Sequence, residues 1–247
     1  MYRLLFLLLL CTVGGLHAQT RVLVLTERGG QHESFAVAAL GWLNEQAEAH
    51  GYSLHVINNT QPITEEYLAQ VALFIQLDFP PYTWSEEAKR AFEQYVDEGK
   101  GGWIGFHHAT LLGDFDGWPM WSWFSDFMGG IRFKNYVREK ADGAIRVEKT
   151  NHPVMHGVAD TFTLPDDEWY TFDRSPRPNV QVLATVDEDS YRPPSSVKMG
   201  DHPAVWVNEA KKARNVYFLF GHSGALFSSP DFIKMFSNAL QWATNRR

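Results

Sequence analysis

Gly101 to Ala109 reads GGWIGFHHA, and the fold turns on this stretch. An apolar run, Trp103 to Phe106, is bounded by glycines and delivers two histidines, His107 and His108, at its C-terminal end. A run this short with no polar alternation predicts a strand buried on both faces of a sheet. In open α/β sheets ligands sit outside the carboxyl ends of the strands. Histidine titrates near neutrality and ligates metals, so the pair stands where chemistry is usually mounted. The competing reading for either is a hydrogen-bonded core histidine.

Working outward, strands and helices alternate. Arg21 to Thr26 (RVLVLT) predicts a strand, followed by a loop holding Gly29, Gly30 and His32. Glu33/Ser34 then cap a helix whose Phe35, Ala38, Ala39, Trp42 and Leu43 keep the spacing of one buried face. Ser53 to Ile57 and Val71 to Leu77 predict strands, with a short helix near Glu65 between them. Ser85 caps another helix, with Glu86 and Glu87 in its first turn, Gly99 just past its end, and Ala88, Ala91, Phe92 and Tyr95 as its inner stripe. Further strands are expected at Gly143 to Glu148, Val180 to Val186, Ala204 to Val207 and Asn215 to Phe220. A closing amphipathic helix carries Phe232, Met235, Phe236, Ala239, Leu240 and Ala243. Strand–helix alternation implies a parallel sheet covered on both faces.

Arg3, the apolar run Leu4 to Val13 and the small-residue stretch ending at Ala18 have the outline of a signal peptide. Residues 1–18 are therefore expected to be removed, leaving residues 19–247 as one domain outside the cytoplasm, periplasmic or secreted. The run is about half the roughly 20 residues that span a bilayer, so no membrane association is expected after cleavage. Cys11 is the single cysteine of the 247 residues, so the mature chain has none. Thiol nucleophiles and cysteine-ligated zinc are thereby excluded. A formal charge of −7 argues against a nucleic-acid partner. With 45% hydrophobic residues the core needs no disulfide to hold it.

Several separated pieces place a titratable residue after an apolar strand or inside a Gly/Pro loop. They are Gly30-Gln31-His32-Glu33-Ser34, His107-His108, Asp167-Glu168-Trp169-Tyr170, Gly200-Asp201-His202-Pro203 and Gly221-His222-Ser223. Loops at one edge of a parallel sheet converge, so these pieces are expected to share a cleft. His152 and His156 lie four apart, but Pro153 and Gly157 favour a loop with His156 on the surface. His202, before Pro203, has a turn-fixing role as its alternative. The aromatic-rich segment from Asp114 to Phe133 is core in the ordinary reading, and a sugar-stacking platform in the functional one.

The sequence resembles the ThuA-like (trehalose-utilisation) family across nearly the whole mature chain. The resemblance rests on GGQHES (29–34), GKGGWIGFHHA (99–109), NHPVMHGV (151–158), DEWYTF (167–172), GDHPAVWV (200–207), FGHSGALF (220–227) and QWA (241–243). The insertion WPMWSWFSDFMGGIRFKNY (118–136) is similar to that of exported members from carbohydrate-degrading bacteria. The resemblance implies a class I glutamine amidotransferase-like fold: α/β, a flavodoxin-like three-layer sandwich around a mostly parallel sheet. In that fold a cysteine sits on a sharp strand-to-helix elbow and a later histidine activates it. Here His107 resembles the elbow position and Gly221-His222 the place of the activating histidine. Without a thiol there is no thioester, so the chain is not expected to be a glutamine amidotransferase.

The resemblance implies a setting in carbohydrate catabolism, with a small-molecule sugar or modified keto-glycoside as substrate. His107, Glu168 and His222 are the candidate catalytic residues, as acids and bases near working pH. His32, His108, Trp121, Tyr170 and His202 are expected to bind substrate, Trp121 by stacking on a sugar ring. His32, His107, Glu168 and His222 could instead hold zinc or a similar divalent ion. The opposing reading is a non-catalytic carbohydrate-binding protein on the same fold. A homo-oligomer is compatible with either.

Overall fold

Residues 19–27, 29–148 and 151–245 are described by a computed structural model. The expected signal peptide, residues 1–18, lies outside them. Along the chain run β1 (Thr20–Leu25), α1 (Glu33–His50), β2 (Tyr52–Ile57), α2 (Glu65–Leu68), β3 (Leu73–Gln76), α3 (Glu86–Glu98) and β4 (Gly102–Phe106). Then come α4 (Ser122–Phe127), β5 (Phe133–Tyr136), β6 (Ala141–Val147), β7 (Thr161–Asp167) and β8 (Tyr170–Phe172). The chain closes with β9 (Gln181–Arg192), β10 (Pro203–Val207), β11 (Asn215–Phe218) and α5 (Pro230–Thr244). Among the described residues no helix is long and apolar enough to cross a membrane.

Nine strands form one sheet in the order β2-β1-β3-β4-β11-β10-β9-β6-β7. Five of them, β2-β1-β3-β4-β11, pair in parallel, the flavodoxin-like arrangement expected. The remaining four continue the sheet antiparallel from β11 outward. β5 and β8 make a separate two-stranded ribbon.

The GGWIGF strand lies in the middle of the parallel half, between β3 and β11, and every residue of it is buried. Alternate side chains serve opposite layers, as the pleat requires. Trp103 meets Phe92 of α3, with ring centroids 6.4 Å apart, while Phe106 meets Phe236 of α5 at 4.9 Å. Gly102 lets α5 close on the strand: a Cβ there would fall 2.1 Å from the Ala243 carbonyl oxygen. The helix stripes pack as the spacing predicted. Ala88, Ala91, Phe92 and Tyr95 of α3 are buried, as are all six apolar residues named in α5. Ser85 caps α3 by accepting from the Ala88 N–H at 3.1 Å, and Gly99 ends it in a left-handed turn at φ 71°.

Several expectations shift. α1 begins at Glu33, but no side chain caps it; His32 occupies the cap position and Ser34 Oγ accepts instead from the Gly224 N–H at 3.3 Å. Of its expected stripe, Phe35, Ala39 and Leu43 are buried, joined by Ala36, whereas Ala38 and Trp42 are only half-buried. β3 is trimmed to Leu73–Gln76, β11 stops at Phe218 and β9 runs on to Arg192. β5, β7 and β8 were not anticipated. β7 (TFTLPDD) is a half-exposed edge strand with no apolar run, and β5 pairs only with distant β8.

Candidate functional site

Five segments end at the carboxyl edge of the parallel strands. β1 delivers Glu27 and then His32, β3 delivers Asp78, and β4 delivers His107 and His108. β11 is followed by Gly221-His222, and β7, from the antiparallel half, ends on Asp167 and Glu168. The rings of His32, His107, His108 and His222 gather around His32. Its centroid lies 5.2 Å from His107, 4.4 Å from His108 and 4.7 Å from His222.

His107 sits on an elbow. Its φ of 31° lies in the left-handed region, unusual for a side chain with a Cβ. Local hydrogen bonds hold it there: its carbonyl accepts from Thr110 Oγ1 at 3.1 Å and from the Tyr217 hydroxyl at 2.8 Å. Gly221, at φ 142°, allows the crossing strand to come close, since a Cβ there would lie 3.0 Å from Phe106 Cβ and 3.3 Å from His107 Cβ.

The fully buried His107 ring is pinned at both nitrogens. Nδ1 lies 2.9 Å from the Leu219 carbonyl oxygen, which only accepts, so Nδ1 carries a hydrogen. Nε2 then faces Glu168 Oε2 at 3.2 Å. Burial drives the His107 imidazole well below its ordinary value, and the nearby His222 adds to this. Burial likewise raises the Glu168 carboxyl. Both shifts favour the neutral pair over the ion pair. His222 Nε2 stands 4.0 Å from the other oxygen, Glu168 Oε1.

Asp167 positions this group from beneath. Its Oδ1 accepts from the Glu168 N–H at 2.7 Å and the His222 N–H at 3.0 Å, and its Oδ2 from the Gly221 N–H at 3.0 Å. One buried carboxyl thus ties the β7 end to the loop after β11. Burial raises it to about 7, although the three N–H donors pull the other way.

A cavity of about 470 Å³ opens onto the site. Its polar wall comprises Glu27, Gln31, His32, His108 and Glu168, and its aromatic wall Tyr82, Phe133, Tyr136 and Tyr170. Tyr170 also lies against His107, ring centroids 4.0 Å apart. On the far side, Glu27, His32 and His108 each offer one donor atom, all within 4.8 Å of one another. Burial and the neighbouring Asp78 raise Glu27 to about 7. Burial lowers His108 to about 4, and burial together with three neighbouring imidazoles lowers His32 strongly.

Of the residues singled out from sequence, His32, His107, His108, Glu168, Tyr170 and His222 come together here. Trp121 does not. It is 7% exposed inside the core, packed on Trp84 and Phe124, with its indole N–H donating to Glu93 Oε1 at 2.8 Å. Four aromatics within seven residues signalled burial, and only the far end of the insertion, Phe133 and Tyr136, reaches the cavity, beside Tyr82 and Tyr170 from other segments. His202 stands behind the wall: it is buried, with Nε2 2.8 Å from the Tyr170 carbonyl and Nδ1 2.9 Å from Glu188 Oε1. It positions Tyr170 rather than meeting a ligand. The four-residue metal set named from sequence is brought together only in part. His107 has both nitrogens occupied, and His32 shares its tight donor group with Glu27 and His108.

Glu27 and Asp78 escaped the sequence reading. Each follows a buried strand directly, the same signal that marks His107, and neither is a histidine. A larger cavity, about 690 Å³, lies at the opposite edge between His152, Arg214 and Trp242, and its wall contains no carboxylate. His156 there is exposed, as expected.

A family model described as trehalose utilisation (ThuA) matches residues 21–243. A ThuA-like protein from Bacteroides uniformis ATCC 8492 is similar at TM-score 0.80 and 27% identity, with 91% of each chain covered. A second, from Parabacteroides merdae ATCC 43184, gives 0.69 at 16% identity over 92% of this chain and 90% of that one. The glutaminase domain of Trypanosoma brucei CTPS gives 0.50 at 8% identity, covering 93% of this chain and 98% of that domain, a likeness of fold alone. No curated protein matches significantly.

Proposed function

The chain belongs to the trehalose-utilisation (ThuA) family, and on that premise we propose that it is an exported enzyme of carbohydrate breakdown, acting on a sugar or keto-glycoside by proton transfer. The observation that carries this is the His107–Glu168 contact of 3.2 Å with His107 Nδ1 already committed to Leu219. One proton is shared between an imidazole nitrogen and a carboxyl that lines the cavity. A hydroxyl, glycosidic oxygen or keto oxygen placed against Glu168 receives that proton. His107 Nε2 and His222, 4.0 Å from the other carboxyl oxygen, are placed to take a proton from an attacking water or substrate hydroxyl and pass it back to Glu168.

The cavity suits a sugar. Tyr82, Phe133, Tyr136 and Tyr170 present apolar rings to the C–H face of a pyranose, while Gln31 and Glu27 offer hydrogen bonds to its hydroxyls. A cavity of about 470 Å³ falls in the range of small-molecule sites. Arg3, the Leu4–Val13 run and Ala18 support export. The same aromatic wall favours the second reading, a carbohydrate-binding protein without turnover.

A screen of the purified chain lacking residues 1–18 against native and keto-disaccharides tests both. Turnover that falls on the order of 10²-fold or more in His107→Ala supports the enzyme. Saturable sugar binding with no turnover on any substrate supports the binder. Full activity in His107→Ala overturns the site assignment.

A further inference from the structure

We propose that Glu27, His32 and His108 form a binding site for one divalent first-row transition ion, zinc foremost, separate from the His107–Glu168 pair. The two adjacent histidines at the end of β4 then divide the work: His107 holds a proton and His108 a metal.

Three observations carry this. First, one donor atom from each of the three residues lies within 4.8 Å of the other two, although they come from two different strand ends. Two imidazoles and a carboxylate are a donor set typical of catalytic zinc, with three protein ligands and an open position. That open position faces the cavity, because all three residues line it. Second, the ring of His108 is held in one tautomer, with its Nδ1 also 3.8 Å from Glu27 Oε2. Its Nδ1 lies 2.8 Å from the Asp78 carbonyl oxygen, so Nδ1 carries the hydrogen and Nε2 keeps its lone pair. His32 is 6% exposed, with its ring packed against those of His107, His108 and His222. Third, Asp78 braces both ligand-bearing segments. Its Oδ1 accepts from the Glu27 N–H at 2.7 Å while its carbonyl holds His108. Its Oδ2 is buried without a partner among the described residues, so the brace keeps one unused acceptor at this corner.

The donor chemistry also points to what the ion would face. A borderline Lewis acid beside Glu168 takes an oxygen ligand, and a hydroxyl or carbonyl of the cavity's occupant is the group within reach. The site stands without the proton-transfer reading, because occupancy is measured without turnover.

The test strips the purified full domain with a chelator, removes the chelator, and titrates Zn²⁺, Mn²⁺ and Co²⁺. Metal content is read by elemental analysis and Co²⁺ coordination by its visible absorption bands. The expected result is one ion per chain, with Glu27→Gln and His32→Ala each weakening binding by about 10-fold or more and abolishing the Co²⁺ bands. His107→Ala should retain the ion. Circular dichroism on each variant separates lost ligation from lost folding, and Glu27→Gln, at a half-buried position, keeps the side-chain shape. Failure of the folded wild type to take up one ion overturns the proposal. So does uptake that survives Glu27→Gln and is lost in His107→Ala, since the ion would then sit on the other side of the cavity.

Discussion

His107 and Glu168 meet at 3.2 Å across a junction between the two halves of the sheet, one from the central parallel strand and one from the antiparallel edge. Neither half alone holds the pair. The imidazole keeps a hydrogen on Nδ1 against Leu219, so a single proton lies between Nε2 and Glu168 Oε2. Glu168→Gln keeps a donor toward Nε2 and removes the transferable proton. Turnover should fall on the order of 10²-fold or more while the melting temperature stays close to wild type. Steady-state kinetics beside a thermal melt checks this, and unchanged turnover would remove Glu168 from the mechanism.

Asp167 gives stability a pH dependence of defined sign. Its carboxyl stands at about 7 in the folded chain against an ordinary 3.8, so the folded state binds more protons between those values. Its contribution is fully present below the lower value and is lost as pH rises through the upper one. Urea unfolding of the wild type from pH 5 to 8 should show stability falling by an amount on the order of a few kcal/mol from this group. Asp167→Asn should flatten that slope. The amide also turns a donor toward one of the three backbone N–H groups, at a cost of about 1–3 kcal/mol. Parallel slopes in the two proteins would show that Asp167 does not titrate in this range.

Gly221→Ala strains a φ of 142° and places a methyl 3.0 Å from Phe106 Cβ. A loss of about 1–3 kcal/mol in unfolding free energy is expected, with reduced activity as the elbow shifts. Chemical denaturation and turnover on the same preparation measure both. A variant as stable as wild type would mean that the loop has room the geometry denies it.

Trp121 and Tyr136 separate core from wall. Trp121→Phe removes the bond to Glu93 and part of the ring packing, so the melting temperature should drop while sugar affinity holds. Tyr136→Ala should weaken sugar affinity with little change in stability, because the side chain is half-exposed at the cavity. Calorimetric titration with the best ligand from the screen reads the contrast. The reverse pattern would return the stacking role to Trp121.

His107 and His222 were legible because each adjoins a recognisable strand or glycine loop and strand ends converge by topology, whereas Glu168 was read from the DEWYTF segment, since β7 before it carries no apolar run. The parallel half was legible for the same reason: RVLVLT and GGWIGF are apolar without alternation, and Ser85 and Gly99 punctuate α3. The aromatic wall was not. Tyr136 and Phe133 reach the cavity through β5, whose partner among the described residues is β8, with Phe133 opposite Phe172 and Tyr136 opposite Tyr170. That pairing is decided by tertiary contacts rather than by local pattern. Trp121 shows the converse, since aromatic density announces burial without saying which surface is covered. Glu27 was overlooked although it follows β1 with only Thr26 between, because a carboxylate after a strand attracts less notice than a histidine pair.

The hydrogen bond from the Gly224 N–H to Ser34 Oγ joins residues 190 positions apart. It sits beside the place where His32, near the start of the described chain, meets His222, near its end. The reactive centre consequently exists only once the last strand of the parallel half has been laid in. An unfolded chain carries every one of these side chains and brings none of them together. For the proposed function, completion of folding is the event that assembles the site, and a chain clipped before β11 would lack His222 and the parallel strand that leads to it.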